Sequence, residues 1–206
     1  MRSIDGLRAA ITSVPMTAVL IAVNLAVYIA VNVDARLLEV LTLPPDWAGV
    51  REQPWTVLTV FFTAEVLIHI VGAVLLIGLF GNRFERIAGS GHVLGVYLLA
   101  GLAGSLALVA TAVATGFDEP SRGASAAFLG LVAALAACPR EERGARLQHL
   151  DKVVAAVVLA QLAPLVGIGE WVSSAAHLAG MGVGGAYGYR VRTSATSRVE
   201  GSGTTV

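Results

Sequence analysis

The chain has 206 residues, 56% of them hydrophobic and 14% charged, with a mean hydropathy of +0.76 and a formal net charge of zero. That composition excludes an ordinary soluble domain, and the neutral balance gives no electrostatic case for nucleic-acid binding. A single cysteine, Cys138, excludes a disulfide within the chain.

A bilayer core about 30 Å thick takes roughly 20 apolar residues in helical form. Six stretches approach or meet that length, at 14–33, 66–82, 93–115, 124–139, 153–168 and 172–189. The expectation is an all-α integral membrane protein with a six-transmembrane-helix bundle over 14–190. Residues 1–13 are then a cytoplasmic N-terminal segment and 191–206 a polar, disordered cytoplasmic tail. Arg2 and Arg8 ahead of the first apolar run would suit a signal peptide, but no small-x-small cleavage pattern follows, so an uncleaved first helix is expected.

Starting the second span before Glu65 would place that carboxylate deep in hydrocarbon. Residues 34–65 are therefore read as a long amphipathic first loop, with Trp47 and Trp55 at the membrane interface. Of the 14 basic residues, all but Arg36, Arg51 and Arg122 lie before the first span or after the second, fourth or sixth. The positive-inside bias then puts both termini in the cytoplasm.

This topology gives each polar residue a depth. His69, Ser125 and His177 fall in the first or second turn of the second, fourth and sixth spans, at one level on the outer side. His92 and His149 fall on the cytoplasmic side and are read as solvated interface residues.

Ser125 follows the turn-like loop from Gly116 to Arg122 and should open the fourth helix, where unpaired backbone N–H groups and the helix dipole favour developing negative charge. The competing reading of Gly123-Ala124-Ser125 is small-residue helix packing. His177 is an ionisable group in an otherwise apolar span, a functional candidate. Its competing reading is a neutral imidazole bonded to a helix carbonyl.

Gly180, Gly184 and Gly188 recur every four residues, and the fourth span offers Ala126, Ala127, Gly130, Ala133, Ala134 and Ala137 as small partners. On an ideal helix Ser125 lies about 100° from the stripe of Ala126, Gly130 and Ala133. Spacing therefore leaves a contact between Ser125 and His177 open. The four histidines are split across the membrane and form no expected metal site. No phosphate-binding glycine loop precedes a helix with the needed lysine, so no nucleotide cofactor is expected. The intramembrane polar residues cluster at one end without an internal repeat, which argues against a transporter.

Taken in order, these residues resemble the rhomboid family of intramembrane serine proteases. The resemblance rests on Trp55, Thr59 and Phe62 in the first loop, His69 opening the second helix, and Leu79-Phe80-Gly81-Asn82-Arg83-Phe84-Glu85 at its inner end. It continues through Tyr97 and Gly101, Gly123-Ala124-Ser125, and Ala176-His177-Leu178-Ala179-Gly180. It covers about residues 14–190 and implies a Ser-His dyad without a third carboxylate, with Ser125 as nucleophile and His177 as general base. His69 and Gly123 would belong to the oxyanion and substrate-binding pocket. The implied partners are transmembrane protein substrates, with no cofactor.

The sequence departs from the family pattern at four positions: Ala73 stands for an oxyanion asparagine, Ala126 for a glycine after the serine, Ala64 for a histidine and Thr56 for an arginine. Two functions are therefore expected as alternatives. One is an intramembrane serine endopeptidase; the other is a catalytically inactive rhomboid-like protein that binds transmembrane segments.

Overall fold

The computed structural model describes residues 14–64, 66–161 and 168–202. Among them there is no strand, only one antiparallel bridge between Leu43 and Ser121. Among the described residues three helices are long and apolar enough to cross a membrane: Pro15–Val33 (α1), Leu67–Ala88 (α2) and Ser90–Thr115 (α3). Three more follow, Ser125–Ala137 (α4), Leu150–Gln161 (α5) and Ile168–Ser202 (α6).

Each expected apolar stretch is thus helical where it is described, but several ends move. Helix α4 is short because Gly123 has φ +131, a conformation open to glycine, and because Cys138 is extended ahead of Pro139. Helix α5 is followed up to Gln161, and the remainder of the 153–168 expectation falls mostly outside the described residues. Helix α6 continues to Ser202 instead of giving way to a disordered tail at 191; neither Pro nor Gly occurs between Val191 and Glu200 to break it.

Helix α2 outruns its expected end at 82, passing through a π-helical turn at Ile77–Gly81 and ending at Ala88. This carries Glu85 under α1. Its buried carboxylate accepts N–H bonds from Met16 at 2.8 Å and Thr17 at 2.7 Å, and a hydroxyl bond from Ser90 at 2.6 Å. The first N–H groups of α1 have no partner within their own helix, so Glu85 caps α1 from α2 and meets the positive end of its dipole. Glu85→Gln removes the charge and turns one acceptor into a donor that faces a donor. It should destabilise the protein by about 2 kcal/mol, measured by thermal unfolding in detergent.

The centre of the molecule is α4, held between α3 and α6 at backbone distance. A Cβ on Gly180 would run into the Ala126 carbonyl, one on Gly184 into that of Gly130, and one on Gly188 into that of Ala134. Towards α3, which also packs directly on α6, the small residues alternate, with Gly104 opposite the Ala126 methyl and Ala100 opposite Gly130. Ala126, where the resemblance implies a glycine, is accommodated because α3 offers Gly104 there. Lipid provides no hydrophobic drive between helices, so close packing of this kind carries their association. Gly184→Val should separate α4 from α6 and cost about 3 kcal/mol, with a fall in the unfolding temperature as the readout.

The first loop is more ordered than an interfacial strap. It folds into the short helices Ala35–Leu41, Trp47–Glu52 and Thr56–Thr59, the first two capped by the Asp34 and Asp46 carboxylates. Trp47 and Trp55 stay exposed, and the Trp55 indole donates to the Val40 carbonyl at 2.9 Å. Phe61 turns inward, its ring against Gly101, and its carbonyl accepts the Tyr97 hydroxyl at 2.8 Å. Asn24 donates to that same Tyr97 oxygen at 3.0 Å, so α1, α3 and the first loop meet in one buried polar cluster.

At the opposite end, buried Arg143 donates to the Cys138 carbonyl at 2.8 Å and to that of Ala136, closing the C-terminus of α4. Asp151 holds Arg140 at 2.5 Å and Arg143 at 3.2 Å. His92, expected as merely solvated, shares a 3.0 Å hydrogen bond with the Tyr187 hydroxyl and links α3 to α6.

Candidate active site

Ser125 is delivered by a loop with three tethers. Leu43 and Ser121 exchange backbone hydrogen bonds of 3.0 and 2.9 Å, and Arg122 Nε donates to Thr42 Oγ1 at 3.3 Å. Gly123 N–H donates to Thr63 Oγ1 at 3.2 Å. The first loop, anchored on Tyr97, thereby fixes where α4 begins.

The Ala124 carbonyl then accepts the N–H groups of Ala127 at 3.1 Å and Phe128 at 3.2 Å. Among the described residues, those of Ser125 and Ala126 donate to no backbone carbonyl. They are the orphan donors of a helix N-terminus, beside the Ser125 hydroxyl.

His177 Nε2 lies 2.7 Å from Ser125 Oγ. The glycine ladder sets the register: Gly180 meets Ala126, and His177, one turn earlier on α6, meets Ser125. The sequence angle had left this contact open, and the length of the imidazole side chain closes the gap across the interface. His177 Nδ1 lies 3.2 Å from Gln161 Oε1, at the end of α5. Ser125 and His177 are both half-buried, within reach of solvent without lying open to it.

Two cavities meet at Ser125. One, about 320 Å³, also touches His177 and is bordered by Phe61, Gly104, Ser121 and Val172. The other, about 170 Å³, is lined by His69, Ala73, Gly123, Ala64 and Phe128. The other three site residues expected from the sequence, His69, Gly123 and His177, thus line cavities that reach Ser125, although the Gly123 N–H is turned to Thr63 and is not a free donor.

Gln161 and Thr63 were not among the expected residues. For Gln161 the signal was present, since it is the one polar side chain in 153–168. Nothing in the sequence marks Thr63.

A hydroxyl in hydrogen-bond contact with an imidazole nitrogen can pass its proton there as it attacks an electrophile. Unpaired N–H groups at the same helix end can then hold the negative charge that develops. A family model described as a Rhomboid domain matches residues 51–194 of the chain. No curated protein matches the chain.

Proposed function

Because the chain belongs to the rhomboid family, and so is an integral membrane protein, we propose that it is an intramembrane serine endopeptidase that cleaves transmembrane segments of other membrane proteins. The observation that carries this reading is the 2.7 Å contact between Ser125 Oγ and His177 Nε2 at a helix N-terminus. In this reading α1 to α6 all lie across the bilayer, both termini are cytoplasmic, and the Ser125 end faces outward.

Ser125 Oγ attacks the scissile carbonyl carbon while its proton passes to His177 Nε2. The carbonyl oxygen becomes an oxyanion facing the N–H groups of Ser125 and Ala126, with His69 lining the same side. His177 returns the proton to the departing amine, leaving an acyl-enzyme. Water entering through the larger cavity, between Phe61 and Val172, then attacks the ester as His177 takes its proton. A substrate helix must unwind locally, because its own hydrogen bonds shield each peptide bond.

A fluorophosphonate probe tests the reading on purified protein in detergent. Labelling of the wild type and not of Ser125→Ala is expected; equal labelling of both, or of neither, counts against it. The second reading is an inactive member that binds transmembrane segments in the same cavity. It is favoured by Ala73, a buried residue lining the smaller cavity beside Ser125 where the family pattern has an amide donor.

A further inference from the structure

Gln161 stands in the last turn of α5, on a helix that otherwise contributes nothing polar to the Ser125 end. Its Oε1 is 3.2 Å from His177 Nδ1, while the other ring nitrogen is 2.7 Å from Ser125 Oγ. We propose that Gln161 is a positioning residue for His177, its amide carbonyl accepting the Nδ1 proton so that Nε2 is left unprotonated and aimed at Ser125. This rests on the proteolytic reading above and adds a third member to what the family resemblance gives as a dyad.

The chemistry follows from counting protons on the ring. A neutral imidazole carries one, and only the tautomer with hydrogen on Nδ1 can receive the Ser125 proton at Nε2. Once that proton arrives, both nitrogens are donors, and the Nδ1–H needs an acceptor in this half-buried site. An amide oxygen supplies one; an amide nitrogen turned the same way would place donor against donor. A carboxylate would bind the imidazolium more strongly, but it would bring a charge into the membrane-embedded site at a considerable desolvation cost. A neutral glutamine avoids that cost.

Gln161 touches neither the hydroxyl nor the substrate carbonyl in this scheme. Its effect is on the fraction of His177 rings held in the competent tautomer and orientation, and hence on kcat more than KM.

The test uses the full chain in detergent micelles with ¹⁵N-labelled histidine, the His177 ring signals being assigned by their loss in His177→Ala. Wild-type His177 should show its proton on Nδ1. Gln161→Met, close in shape but without an acceptor at that distance, should give a mixture of tautomers. It should also lower kcat on a model transmembrane substrate by about 10-fold with little change in KM, the scale of one hydrogen bond. Gln161→Glu, which keeps an acceptor, should restore the Nδ1–H tautomer and most of the rate.

A wild-type ring protonated on Nε2, or a Gln161→Met variant with unchanged tautomer and kcat, would overturn the proposal. The wild-type measurement decides the matter even where Gln161→Met does not fold. Wild-type protein that cleaves nothing yet keeps its proton on Nδ1 would remove the proteolytic reading and leave the Gln161 contact standing.

Discussion

His177→Ala should lower kcat by about 10⁴-fold or more, with KM near the wild-type value, and Ser125→Ala should do the same. The expectation follows from the geometry: Ser125 Oγ has its proton acceptor at 2.7 Å, and without the imidazole the hydroxyl is a poor nucleophile at neutral pH. Neither change should unfold the protein, because both side chains are half-buried and the contacts of Gly180, Gly184 and Gly188 on α4 involve backbone, not the dyad. The double variant should be no worse than either single one, since the two groups act as a unit. Steady-state cleavage of a model transmembrane substrate, with unfolding temperatures measured alongside, checks all three. Cleavage by His177→Ala within tenfold of wild type would remove the dyad.

The fold was largely legible because the membrane imposes coarse rules that a sequence displays openly. Runs of apolar residues and the four-residue recurrence of Gly180, Gly184 and Gly188 each depend on one element at a time. The site was legible only up to its last step. Ser125 and His177 were marked by their types and depth, but their contact depends on the rotation of α4 against α6, which an ideal 100° per residue does not supply. The observed ladder uses Ala126, Gly130 and Ala134, whereas the expected stripe ended at Ala133.

Glu85 shows the same limit in a different form. It was noted as part of a motif at the inner end of the second span, but its work as a cap needs the N-terminus of α1, 68 or 69 positions away. Gln161 was equally visible and was passed over, because a lone amide in an apolar helix points to a partner without saying which one. Tertiary hydrogen bonds between sequence-distant polar groups leave no periodic trace, and here they decide both the cap and the histidine's second contact.

Ala73→Asn should raise kcat by about 10-fold, leaving KM little changed. Ala73 lies four residues after His69 on α2, so the two share a face one turn apart, and both line the 170 Å³ cavity that reaches Ser125. At present the groups beside Ser125 are its own N–H and that of Ala126 at the helix start, with His69 lining the cavity, while Gly123 N–H is committed to Thr63. A carboxamide at 73 has that cavity to extend into and would add a donor to the side where the oxyanion forms. Removing such a donor from established oxyanion holes costs about 10²–10³-fold in kcat, and an added one, placed by a single substitution without refinement of its surroundings, should recover a part of this. The gain belongs in kcat because the interaction is made to the oxyanion and only weakly to the ground-state carbonyl. The same measurement separates the two functional readings. An active wild type improved by Ala73→Asn is a protease working with an incomplete oxyanion pocket; an inert wild type that gains Ser125-dependent cleavage is a binding protein whose missing donor had silenced an intact dyad. If Ala73→Asn folds and leaves an active enzyme's kcat unchanged, the oxyanion is held by the helix N-terminus alone, and the wall formed by His69 and Ala73 serves the substrate side chain instead.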